Sequence, residues 1–149
     1  MKLIYFLAII SIMLSGCKSN TFESKITNKI ESSCKQNSCA ISIKDITDFT
    51  WDKMYVFKYN VTLKEVNKVL GVNFANYTEF TRKIIFTSGG KIVYEEEEKT
   101  NIEGLVNNEV VFDIPDTMNY KFYNIEEAKF TVIQKEFDRG KYFELMQIK

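Results

Sequence analysis

The sequence predicts an α+β domain: an antiparallel β-sheet of about six or seven strands with two short helices packed on it. Three observations carry this. Two short stretches repeat apolar residues at helical spacing, and one opens on a capping box. Most of the remaining chain alternates apolar and polar residues in runs of strand length. Two pairs of those runs flank glycine-containing turns of hairpin type, Ser88-Gly89-Gly90 and Asp138-Arg139-Gly140.

The elements follow in order. Phe22, Ile26 and Ile30 recur every four residues. They predict a helix over 21–33, with Asn20 and Glu23 spaced as a capping box. Residues 40–46 read as a short strand with Ile41 and Ile43 on one face. Residues 49–59 place Phe49, Trp51, Tyr55, Phe57 and Tyr59 on one parity and Met54 and Val56 on the other. Apolar residues on both faces predict a central strand. Thr62-Leu63-Lys64-Glu65 is a capping box, Leu63, Val66, Val69 and Leu70 line one helical face, and Gly71 stops it. Strands are predicted over 80–87, 91–97, 109–114, 119–123, 128–137 and 141–148. Pro115, the only proline, ends the third of these.

Ahead of the domain lies a leader. Met1-Lys2 is a short positive start, Leu3 to Leu14 is almost wholly apolar, and Ser15-Gly16 are small. The run is shorter than the roughly 20 apolar residues a spanning helix needs. Leu14-Ser15-Gly16-Cys17 resembles the lipobox of bacterial lipoproteins at all four positions. The resemblance implies cleavage before Cys17, a thioether-linked diacylglycerol on its sulfur, and in many bacteria acylation of the new amino terminus. Two or three acyl chains give a lasting anchor where one does not. The other reading is an ordinary secretory signal with Cys17 as a plain thiol. The expected organisation is 1–16 signal peptide, 17–20 lipidated tether, and 21–149 a single α+β domain. The residue after the cysteine is Lys18 and not aspartate. For lipoproteins of this kind that implies the outer membrane, facing the periplasm, in a Gram-negative host. In a Gram-positive host the same signal implies the outer face of the cell membrane.

Composition narrows the function classes. Basic and acidic side chains balance at 20 each, so no bulk charge draws the chain to nucleic acid, and export argues the same way. There is no histidine, which removes the commonest general base and metal ligand. No catalytic, cofactor-binding or metal-ligating residue is assigned. Cys34 and Cys39 fall in an oxidising compartment once the chain is exported, and a disulfide between them is expected. Its rivals are a redox pair, which usually has a two-residue spacing, and a metal site, which lacks further ligands nearby.

Phe49-Thr50-Trp51-Asp52-Lys53-Met54-Tyr55-Val56-Phe57, followed by a helix closing on Val69-Leu70-Gly71, resembles a stretch of small bacterial lipoproteins and secreted proteins. That resemblance implies kinship and no activity. Four groups of residues invite a functional reading. Glu95-Glu96-Glu97-Glu98 suits a cation or a basic partner, or a solvated edge strand. On a strand only two of the four carboxylates share a face, too few for a hard cation. The aromatics around Trp51 suit a pocket for a lipid or glycan, or simply core. Asp52 and Lys53 beside Trp51 suit a polar site or a strand end reaching solvent. Asp113, Asp116, Glu126 and Glu127 around Pro115 suit acid–base work only if loops bring them together. The expected function is a lipid-anchored, non-enzymatic envelope protein. Its partners would be the membrane, through Cys17, and an envelope protein or other envelope component. The alternative is a carrier with an aromatic-lined cavity for a small lipid or glycan.

Overall fold

A computed structural model describes residues 21–35, 38–99 and 104–149. The expected leader and tether, with Cys17 and Asn20, lie outside the described residues. The helices are α1 (Phe22–Ser33) and α2 (Leu63–Leu70). The strands are β1 (Ser38–Ser42), β2 (Lys53–Phe57), β3 (Thr81–Ser88), β4 (Lys91–Lys99), β5 (Glu109–Phe112), β6 (Tyr120–Asn124), β7 (Lys129–Phe137) and β8 (Gly140–Gln147).

The α+β class and the dominance of sheet hold. The single sheet of six or seven strands does not. Eight strands form two four-stranded sheets, ordered β1-β7-β8-β5 and β4-β3-β2-β6. The reason lies in the apolar faces. β2 is central, between β3 and β6, and both of its faces must be covered. The β7–β8 sheet covers one face, meeting Met54, Val56, Ile84 and Phe86 with Phe112, Phe130, Phe143 and Leu145. Helix α2 covers the other, where Val66, Leu70 and Phe74 pack on Tyr55, Phe57 and Ile85. The second departure is β5, which pairs parallel with β8, Val110 opposite Phe143. A parallel neighbour needs a long crossover, and the chain between them supplies it by making β6 and β7.

Several boundaries moved for local reasons. β2 starts at Lys53, so strand alternation does not reach back to Phe49 and Trp51. Those two residues pack with Met54 and Val56, not with Tyr55 and Phe57. The strand expected to run to Ile46 ends at Ser42, and Ile43–Asp45 form a 3-10 turn. Both hairpins form. Gly89 and Gly90 take φ of 55° and 75°, the pair of positive values that a two-residue hairpin turn requires.

Helix α1 is capped one residue later than expected. Thr21 Oγ1 accepts from Ser24 N at 3.2 Å, and Glu23 does not turn back to its own helix. Its Oε1 accepts from Val110 N at 2.6 Å on the outer edge of β5. At the other end Cys34 is bonded to Cys39, with Cα atoms 5.5 Å apart. Helix α1 therefore runs from the β5 edge to the β1 edge, burying Phe22, Ile26 and Ile30 beneath it. The expected box on α2 is complete: Thr62 and Glu65 bond reciprocally, and Gly71 closes the helix at φ 70°.

Candidate binding surfaces

The residues singled out from sequence are mostly used by the fold. Trp51 is 3% exposed. Its ring meets Phe86 edge-on at 5.0 Å, and its indole N–H donates to Thr47 Oγ1 at 2.9 Å. It lies in the core between the sheets. Asp52 is exposed but engaged: Oδ2 accepts from Gly89 N at 2.7 Å and Oδ1 from Thr87 Oγ1 at 3.1 Å. The Gly89 amide holds the Asp52 carboxyl below the usual range, with Thr87 assisting. The residue thus braces the β3–β4 turn.

The acidic residues around Pro115 do not converge. Asp116 pairs with Lys58 at 3.7 Å, while Glu126 pairs with Lys44 at 3.0 Å and Glu127 accepts from Asn124 Nδ2 at 2.9 Å. These positions flank opposite ends of β6. Among the described residues no group of three or more Cys, Asp or Glu side chains is arranged to hold a metal ion.

The four glutamates correct the picture of a solvated edge. β4 is indeed an edge strand, yet each carboxylate is half-buried and bonded inward. Glu96 accepts from the backbone N–H of Phe22 at 2.6 Å and of Glu23 at 3.2 Å, and accepts from the Tyr94 hydroxyl as well. It supplies a negative group to the amino end of α1, where the helix dipole favours one. Burial, then the Glu96 bond, raises the Tyr94 phenol. On the opposite face Glu97 accepts from Thr78 N at 2.9 Å, and Glu95 accepts from Asn76. Glu98 ion-pairs with Arg82 of β3.

That last pair belongs to a cluster. The Arg82 guanidinium also lies 3.4 Å from Glu23 Oε1 and donates to Val110 O. One half-buried cation thus faces two carboxylates, from α1 and from β4. Burial and the adjoining Glu23 carboxyl push the Glu98 carboxyl up to about 7, against the pull of Arg82. The two carboxylates meet at the same nitrogen, Arg82 Nη2. The cluster forms one wall of an open cleft of about 360 Å³, whose apolar side includes Val56, Tyr59, Val106, Phe112 and Ile114. Sequence reading missed it because a bulge between Phe86 and Thr87 shifts the hairpin register by one residue. Only with that shift does Arg82 face Glu98, and Lys83 Glu97.

The second surface is the free edge of β6. Lys58 N bonds Asn119 O at 2.9 Å and Ile125 N bonds Asp52 O at 3.0 Å. Alternation then turns the backbone groups of Tyr120 and Phe122 away from β2. Among the described residues nothing bonds them. Beside this edge a groove of about 740 Å³ separates β6 from α2, bounded by Val61, Val69, Met118, Tyr120 and Phe122. Met118 and Phe122 are 50% and 49% exposed. An unpaired edge next to an apolar groove is a template for an added strand.

No family model matches the chain, and no similar chain is found among the curated proteins or the solved structures. Among the described residues no helix is long and apolar enough to cross a membrane.

Proposed function

We infer that the chain is a lipid-anchored, non-enzymatic protein of the bacterial envelope that binds an envelope protein by strand addition at β6. The anchor is read from Leu14-Ser15-Gly16-Cys17 and the resemblance that motif carries. The observation supporting the binding role is the open β6 edge beside its apolar groove. Main-chain bonds to Tyr120 and Phe122 would supply affinity, and side chains entering the groove would supply selectivity.

The test is a crosslinking pull-down from intact cells with the anchor kept, comparing wild type with Phe122→Pro. The Phe122 N–H points away from β2, so proline there removes an outward donor and spares the β2–β6 ladder. A stoichiometric protein partner captured by wild type and lost in the variant is the expected result. The same partner captured by both overturns β6 as the site. Cys17→Ser should move the protein from the membrane fraction to the soluble one; unchanged membrane association overturns the anchor.

The cleft beside Arg82 favours the second reading, a carrier of a small lipid or glycan. Its aromatic lining is Phe57, Tyr59 and Phe112, not Trp51. A co-purifying lipid or glycan, in the absence of any protein partner, would establish that reading.

A further inference from the structure

Phe80 is 71% exposed, the most of any large apolar side chain among the described residues. Its backbone φ is 56°, which a residue other than glycine holds only where its surroundings impose it. Here they do. Lys83 is wholly buried on β3, and its ammonium donates to Thr78 O at 2.8 Å, Thr81 O at 3.0 Å and Thr81 Oγ1 at 2.9 Å. The Tyr77 ring covers that ammonium at 4.3 Å. From β4, Glu97 Oε1 lies 3.5 Å from the same ammonium and accepts Thr78 N at 2.9 Å. Both sides of the 78–81 turn are therefore clamped from within, and the phenyl ring between them is held in solvent.

Phe80 has apolar company. Phe57 pairs with Lys83 on one side and Tyr120 on the other. Tyr59, two residues past Phe57, and Met118, two before Tyr120, thus lie at the same end of the sheet as Phe80. They are 52% and 50% exposed. At the opposite end the turns 88–91 and 124–127 carry no exposed large apolar side chain.

The chain outside the described residues indicates what covers this end. Phe22 N lies on Glu96, which pairs with Ile84 near the middle of β3. Between Cys17 and Thr21 the chain reaches at most about 14 Å. On the lipoprotein reading, which this inference rests on, a bilayer lies within reach of the β4 flank. Both ends of the sheet are then comparably distant; the end with Phe80, Tyr59 and Met118 offers two aromatic rings and a methionine, against Val93 alone near the other. Exposed Glu79 beside Phe80 suits a zwitterionic surface better than an anionic one.

We propose that the Phe80 turn, with Tyr59 and Met118 beside it, is a second membrane contact that seats this end of the domain in the interface of a zwitterionic phospholipid bilayer. Aromatic rings on a rigid turn enter the headgroup boundary with little ordering to lose. Such a contact fixes the orientation of the domain, which a lipid tether alone leaves free.

The test uses full-length Phe80→Trp protein purified from membranes with its own acyl chains. It is reconstituted into phosphatidylcholine vesicles with brominated chains and into unbrominated vesicles. Trp51, the only native tryptophan, is buried in the core and gives an unquenched background. The introduced indole is expected to lose most of its emission to the bromines and to shift to the blue. Protein that floats with the vesicles while that indole stays unquenched and red overturns the membrane seat and leaves the anchor standing. Protein that does not float, with no acyl mass on Cys17, overturns the anchor and this inference with it. If Phe80→Trp fails to fold, Tyr59→Trp is read in the same way.

Discussion

Glu98 shows how one side chain ties stability to pH. Its carboxyl sits near 7 in the folded protein, against about 4.3 in an unfolded chain. Between those values the folded state holds a proton that the unfolded state has released. Folding is therefore favoured below the window and progressively less favoured as pH rises through it. Glu98→Gln should flatten the fall in stability between about pH 4.5 and 7, as measured by urea midpoints across that range; an unchanged slope would place the proton elsewhere. Trp51 makes a simpler case. Burial in the core predicts that Trp51→Ala destabilises by about 3–5 kcal/mol, read from denaturant unfolding, and near-native stability would return the ring to the surface. Trp51 as core was legible from its apolar setting, but its face was not. Alternation assigns a face only inside a strand, and β2 begins two residues later. Glu96 was illegible for another reason, since its partner, the start of α1, is distant in sequence, and Arg82 meets Glu98 only through the bulge in the β3–β4 register.

Helix ends were read with mixed success, and the difference is instructive. Thr62, Glu65 and Gly71 cap α2 with residues of the helix's own neighbourhood, so local sequence sufficed. Helix α1 takes its second acceptor from β4, through Glu96, and sends Glu23 to β5. Sequence spacing pairs Asn20 with Glu23, but Glu23 bonds Val110 of β5 instead. Thr62→Ala should cost about 1 kcal/mol, the usual value of a lost cap. Glu96→Gln keeps one of the two acceptor oxygens and loses the charge, so it should cost less than Glu96→Ala, which strands the Glu23 N–H and leaves the Phe22 N–H only the Tyr94 hydroxyl oxygen. Hydrogen exchange at the first turn of α1 separates these cases: protection should fall in the order wild type, Gln, Ala. Equal protection in all three would remove Glu96 as the cap.

At the scale of the whole molecule, class was legible and arrangement was not. Runs, turns and parity define which segments are strands and which faces are apolar. They do not say which strand lies beside which, so the split into two sheets and the parallel β5–β8 pair needed three dimensions. That arrangement has a thermodynamic consequence. The sheet β4-β3-β2-β6 contributes to both cores, Met54 and Phe86 to one and Phe57 and Ile85 to the other. Neither core can open without stripping a face from the same four strands, so the two should melt as one unit. Leu145, in the core between the sheets, and Val66, under α2, are both fully buried. Leu145→Ala should lower stability by about 2–5 kcal/mol. Val66→Ala should lower it by a smaller amount, since fewer methyl groups are removed. Each should shift the whole transition, with far-ultraviolet dichroism and Trp51 fluorescence moving together. Trp51 touches only the first core, so a Val66→Ala transition in which dichroism moves and Trp51 fluorescence does not would show α2 and its cluster unfolding separately. The shared sheet makes coincidence the expected result.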